Sequence, residues 1–436
     1  MNFKKIGVFL LCTCSLLASC FPAVNSLAQD SNGANNKTSA IQPMFMGNLQ
    51  HTGVYDTKSP GNNVKVKWKV KSGGRIYSSP VVSGGICYFG SEDKCLYAVD
   101  AATGKVKWKY ETGGEVFSTP AISNSTAYFT SKDGYLYALE TVEGKLVWKF
   151  KTNGEKAFDN WDLWLSSPAV DNGVVYFGSG DGNLYAVDAK SGKKLWQYET
   201  KGIIHSSPAI YKGLVYFGDY LGYCYAVDCK THKLKWKFKT IGYSDMPNGE
   251  ISSSPTVLND TVYIGSKDHT IYSLDAFTGK MKWREQTYPG WVCSTPAVKD
   301  GIVCIGKTGN CCVYGVDVKT GRKKWFYNTK FYILSSAAIV GNTVYIGNFC
   351  GRLFALNLYT GKEKWKFETD ACKRNYSEFF SEKNIYRKNF NRDFNGDEKK
   401  YIYENTTKLG SILSAPVAVD GVIYFGSCDG NLYALQ

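Results

Sequence analysis

The segment NGEKAFDNWDLWL, residues 153–165, interleaves acid and indole: Asp159, Trp161, Asp162 and Trp164 fall close together. Carboxylates set among flat aromatic faces can grip a sugar, a quinone or an aromatic peptide side chain. Trp291, in YPGWVCSTP, is a further indole that could join them. The bland alternative uses the same residues: the tryptophans merely cover the end of a structural unit. Asp245 and Glu250, in a second segment from Gly242 to Glu250, offer oxygen to a cation or simply face solvent. A third segment, at about 371–410, contains Asn391-Arg-Asp393-Phe-Asn395-Gly396-Asp397. It partly resembles a calcium loop, but Ile402 stands where a bidentate glutamate is needed. A partner-binding flap is the expectation there.

Other chemistries find no support. HExxH, GxSxG and a nucleotide-binding glycine loop after a strand are all missing, and the four histidines, His51, His205, His232 and His269, are scattered. No catalytic residue and no metal ligand is therefore assigned. Eleven cysteines follow Cys20, an odd number with no CxxC among them, which argues against a zinc ribbon. Lys and Arg exceed Asp and Glu by 52 to 38, a net charge of +14. Many of these lysines alternate with apolar residues, as in VKWKV, and so belong to the wet face of a strand. With dispersed charge and an export signal, nucleic acid is not expected as a partner.

The elements that must carry these residues are repeats. Ser-Ser-Pro, Val-Tyr-Phe-Gly, Leu-Tyr-Ala-Val-Asp and a Lys-Xaa-Lys-Trp run recur in that order. The tryptophans are Trp68, Trp108, Trp148, Trp196, Trp236, Trp283, Trp325 and Trp365; seven prolines and Ala337 make the matching set of eight. Each run is short, alternating and rich in β-branched or aromatic residues, so each unit is four antiparallel strands, A to D. A sheet of that size must stack on copies of itself. The expected fold is all-β: an eight-bladed β-propeller over residues 63–436. Trp68 belongs to a D strand with no A–C before it, and LYALQ ends a unit with no D after it; the two pieces should close one blade. The tryptophans are expected to dock blade against blade.

Long connections mark where function should lie. The usual distance from Trp to the next Pro is 12 residues, but it is 20 from Trp148 to Pro168, 19 from Trp236 to Pro255 and 51 from Trp365 to Pro416. All three are D–A connections and open on one face.

The stretch Ala98-Val-Asp100-Ala-Ala-Thr103-Gly104-Lys105-Val-Lys-Trp108 resembles the tryptophan-docking motif of the quinoprotein-type (PQQ-like) eight-bladed propellers. In one branch of that superfamily, the alcohol dehydrogenases, the resemblance implies pyrroloquinoline quinone (PQQ) and calcium over the axis. In another, the outer-membrane assembly lipoproteins, it implies a lipidated scaffold without a cofactor. Cys311-Cys312 could form a vicinal disulfide like the one in the dehydrogenase branch, although it sits in a late B–C turn that does not match that placement.

The N-terminus favours the scaffold branch. MNFKK and the apolar run IGVFLLCTCSLLA form an export signal, and Leu17-Ala18-Ser19-Cys20 resembles a lipobox, which makes Cys20 the lipidated residue. Residues 1–20 are thus expected as signal and 21–62 as a flexible tether; cleavage after Ala28 would instead release a secreted protein. The expected function is a membrane-anchored binding scaffold of the cell envelope, held by its lipid only, that engages a protein, peptide or glycan. A PQQ- and calcium-dependent dehydrogenase, or a surface polysaccharide lyase or hydrolase, is the alternative.

Overall fold

In the computed structural model, the described residues are 42–157, 162–382 and 398–436. Eight four-stranded antiparallel sheets form the blades of a propeller. Blade 1 shows the plan, with strands A (Val81–Ser83), B (Ile86–Gly90), C (Cys95–Asp100) and D (Val106–Glu111). In the last blade, Val66–Lys71 pairs as strand D with Asn431–Leu435, so the N-terminal strand closes the ring.

The burial pattern explains why the repeats read as they do. Strands B and C lie inside the sheet and between neighbouring blades, so both their faces are covered: Leu214–Gly218 is buried throughout. Strand D is the outer edge, where alternation survives; in Val66–Lys71, Trp68 and Val70 point inward while the lysines stay wet. In blade 1, strand D pairs Ala98 with Trp108 but Val99 with Val106, which leaves Lys107 as an extra residue. The same shift precedes the tryptophan in the other blades. Such a bulge re-aims the next side chain, here the indole, toward the following blade.

The indoles then join blades. Trp108 Nε1 donates to the Thr141 carbonyl at 3.0 Å, and equivalent bonds run from Trp68, Trp148, Trp236, Trp283 and Trp325. Trp108 also lies flat beneath Gly144, where a Cβ would come within 2.6 Å of the ring. That glycine is thus required twice, for its φ of +72° and for this approach. Where the repeat has His232 instead, Trp196 stacks on the imidazole with centroids 5.0 Å apart.

A ring of hydroxyls surrounds the axis. The N–H of the residue before each proline mark donates to the hydroxyl at the same position one blade on: Ser79 to Thr119, then to Ser167, Ser207, Ser254, Thr295 and Ser336. Ala415 N–H returns to Ser79 Oγ at 2.8 Å. Only the Ser336-to-Ala415 link lacks its acceptor.

Part of the segment expected as a tether is instead built into the propeller. The inner edges of the A strands present peptide groups, and residues 43–57 bond to those of five blades in turn. Ile122 N–H bonds to Pro43, Ile210 to Leu49, Val257 to Gln50, Val298 to Thr52 and Ile339 to Gly53. Met44, Met46, Val54 and Tyr55 are buried by this arrangement. His51 is buried too; its Nδ1 meets the Pro255 carbonyl at 3.1 Å, and burial pushes its pKa down to about 4 against that bond.

Candidate functional site

The D–A connections and B–C turns share one face, opposite the A–B turns. Two D–A insertions and one short connection meet there over the axis. The first insertion is held by His205, at the start of blade 4. Its Nδ1 lies 2.8 Å from Asp162 Oδ1 and its Nε2 lies 2.6 Å from Glu155 Oε1. Tyr220 OH donates to the same Asp162 oxygen at 2.7 Å. Burial alone would favour a neutral ring, but Asp162 and then Glu155 outweigh it and raise the imidazole pKa to about 9. His205 is therefore an imidazolium at neutral pH, with a carboxylate on each nitrogen. The arrangement clamps both ends of the insertion to blade 4.

The third insertion carries two helices, α1 (Asp370–Phe379) and α2 (Glu398–Leu409). Thr369 caps α1, its hydroxyl accepting from Cys372 N–H at 3.2 Å. Phe379, Phe380 and Leu409 join Tyr77, Phe117, Leu165, Phe331, Phe349 and Leu413 in one apolar cluster. Trp164 and Trp291, both half-buried, pack against this same cluster. The Lys267 ammonium sits 5.1 Å from the Trp291 ring centroid, a cation–π arrangement. Trp164 and Trp291 thus pack on the same apolar cluster as residues of the two helices. Asp159, Trp161 and the stretch from Asn391 to Asp397 lie outside the described residues, as does Cys20.

Asp245 is committed to His269 at 3.0 Å, and Glu250 is buried with its Oε2 unpartnered among the described residues. Among the described residues, no group of three or more His, Cys, Asp or Glu is placed to hold a metal ion. The sulfurs of Cys311 and Cys312 are directed at the carbonyls of Gly309 and Asn310. Beside them, Lys307 is fully buried, donates to the Thr287 carbonyl, and has its pKa pulled down to about 8 by that burial.

A family model described as outer membrane protein assembly factor BamB matches residues 61–242 and 225–436. The chain belongs to this family. BamB from Moraxella catarrhalis has the same fold, with a TM-score of 0.63 at 17% identity over 86% of this chain and 97% of that one. The quinohemoprotein alcohol dehydrogenase of Comamonas testosteroni superposes with a TM-score of 0.70 at 15% identity, over 92% of this chain and 81% of that one. The quinoprotein alcohol dehydrogenase PedH of Pseudomonas putida is 34% identical over 92 residues, which are 19% of this chain but only 15% of that enzyme. The BamB family fold is therefore shared with quinone enzymes, and the axis has to be tested for a quinone.

The residues do not fit one. Below the cap, the axial cavity measures about 40 Å3 and is floored by Phe45 from the N-terminal segment. That is room for two or three waters, whereas ligand pockets run to several hundred Å3. PQQ is a tricarboxylate, yet among the described residues the lining holds hydroxyls, apolar groups and His205, with no lysine or arginine.

Sequence reasoning missed the His205 clamp because its members lie 43 and 50 residues apart. The unusual length of the Trp148–Pro168 connection, with acids in it and a histidine at the next blade's entrance, was the available signal.

Proposed function

We propose that this chain is a non-catalytic scaffold of the cell envelope, lipid-anchored through Cys20, whose capped face binds a protein partner. The observation that supports it most is the convergence of Trp164, Trp291 and the α1–α2 cap on one apolar cluster above a closed axis. A rigid ring with half-buried indoles at its centre has the anatomy of an interaction surface, since tryptophan in a partly desolvated pocket dominates many interfaces. Membership of the BamB family and the likeness to BamB of Moraxella catarrhalis support the same reading. The face is suited to a protein or an extended peptide; a glycan would want more polar groups beside the indoles.

The test is capture in intact envelopes by chemical crosslinking, comparing the native chain with the Trp164→Ala, Trp291→Ala double variant. A discrete adduct that the variant loses, while its circular dichroism is unchanged, supports the assignment. An adduct of equal yield from both sinks it. The dehydrogenase alternative is tested by calorimetric titration with PQQ and calcium, for which no binding heat is expected.

A further inference from the structure

The C–D turns share one face with the A–B turns, opposite the cap: Ala101 N–H donates to the Gly85 carbonyl at 2.9 Å, and Leu358 N–H to Asn342 likewise. These turns are built alike. The opening acid is spent on the turn itself: Asp100 Oδ1 accepts from the Ala102 and Thr103 N–H groups and from the Thr103 hydroxyl, and Asp317 does the same with Lys319 and Thr320. The closing residue is a cation. Lys105, Lys193, Lys233, Lys280, Arg322 and Lys362 are all exposed, and none makes an ion pair among the described residues. In blade 2 the turn holds Lys145 against Glu143 instead. Among the acids of the A–B turns, Asp260 pairs with Lys212, and Asp300 accepts from Tyr359 OH.

The tip of the turn, two residues after the opening position, carries a further cation or an exposed apolar side chain. Lys190, Lys230 and Lys319 stand there in blades 3, 4 and 6. Val142, Phe277 and Tyr359, exposed by 69%, 37% and 49%, stand there in blades 2, 5 and 7. Water alone gives no reason to expose valine, phenylalanine and tyrosine at equivalent positions of one face. Cations interleaved with apolar and aromatic tips match a bilayer interface, where the first meet lipid phosphates and the second enter the headgroup region.

The N-terminal segment lies on this face as well. Residues 43–57 run along the axial mouth beside the A–B turns, where Asp420 N–H in the last of them donates to Thr57 Oγ1 at 2.8 Å. Gln42, the first described residue, is 22 positions after Cys20. A flexible chain of that length spans about 25 Å on average. We propose that the face of the A–B and C–D turns lies on an anionic phospholipid bilayer, with the capped face turned away from it. The argument from the tether rests on the lipid anchor at Cys20 proposed above; the arguments from charge and from the apolar tips do not.

The test is photocrosslinking to lipid of the full chain, expressed with its own export segment, purified and reconstituted with vesicles of phosphatidylcholine and phosphatidylglycerol in a ratio of about 7 to 3. A benzophenone amino acid replaces Phe277 or Tyr359 at the turn tips, or Tyr332 on the opposite face, where it is 37% exposed. Phospholipid adducts are expected from positions 277 and 359 and not from 332. Their yield should fall about threefold or more in about 0.5 M salt, in pure phosphatidylcholine, and in the Lys193→Glu, Lys233→Glu, Arg322→Glu triple variant. A chain that does not float with the anionic vesicles, or that floats without adducts at 277 and 359, overturns the proposal; so do equal yields from 332, or a protein adduct in place of lipid at 359 in native envelopes. The mass of the N-terminal peptide reports acylation of Cys20 separately. An acylated chain without turn-tip adducts sinks this orientation and leaves the anchor standing, whereas turn-tip adducts from an unacylated chain support the face and sink the anchor.

Discussion

His205 Nδ1 lies 2.8 Å from Asp162 Oδ1, across 43 residues of chain, and a second carboxylate, Glu155, occupies the other ring nitrogen. This buried ion cluster ties the first long insertion to the ring. Removing His205 leaves two buried carboxylates without their counter-charge, and breaking a buried ion pair in this way typically costs about 3–5 kcal/mol. His205→Gln should therefore lower stability to urea by roughly that amount, and should increase proteolysis between residues 153 and 165 first. A loss under about 1 kcal/mol would mean that the clamp is solvated.

Two histidines should shape the pH dependence of stability from opposite sides. The pKa of His205 is raised in the fold to about 9, so its contribution is full below pH 6.5 and is lost as pH rises through 9. The pKa of His51 is lowered to about 4, so its contribution is present above pH 6.5 and is lost as pH falls through 4. Each limb amounts to about 3 kcal/mol, at about 1.4 kcal/mol per pKa unit. Urea midpoints measured across pH 4–10 should fall at both ends. His51→Gln should flatten the acid limb only, and His205→Gln the alkaline limb only.

The indole–glycine contact predicts a steep local penalty. Gly144→Ala would place a methyl 2.6 Å from Trp108 at a φ of +72°. Adding left-handed strain to overpacking, the expected loss is about 2–4 kcal/mol in a denaturation curve. The His232→Gly variant exchanges relief of its own positive φ for loss of the stack on Trp196, and should change stability by less than about 1 kcal/mol.

The hydroxyl ring is open at one link. Ala415→Ser supplies the acceptor that Ser336 N–H lacks and should stabilise the closing blades by about 1 kcal/mol. A neutral or negative change would show that water already fills the gap.

How far these features were legible depends on their range. Eight tryptophans, the Ser-Ser-Pro marks and the orphan D strand define the ring and its closure, because each signal is local and repeats. The bulge before Trp108 and the role of Ser79 as an acceptor for Ala415 are equally periodic, but they emerge only when blades face each other. The site was half legible. The loop lengths and the indoles at 164 and 291 pointed to the face where the apolar cluster lies, yet nothing local pairs Asp162 with His205. Residues 43–57 were misjudged for a related reason. Their polar, aperiodic composition matches a linker, but their partners are backbone groups on A strands of five different blades, which no side-chain pattern advertises.

The capped face as a protein-binding surface is tested most directly by site-specific photocrosslinking in the native envelope. A benzophenone amino acid is placed at Trp291, on the short connection that packs against the capped cluster, and separately at Lys107, on the exposed outer strand of blade 1. The account predicts a discrete protein adduct from position 291 and none from 107. No adduct from 291, or the same adducts from both positions, would contradict it.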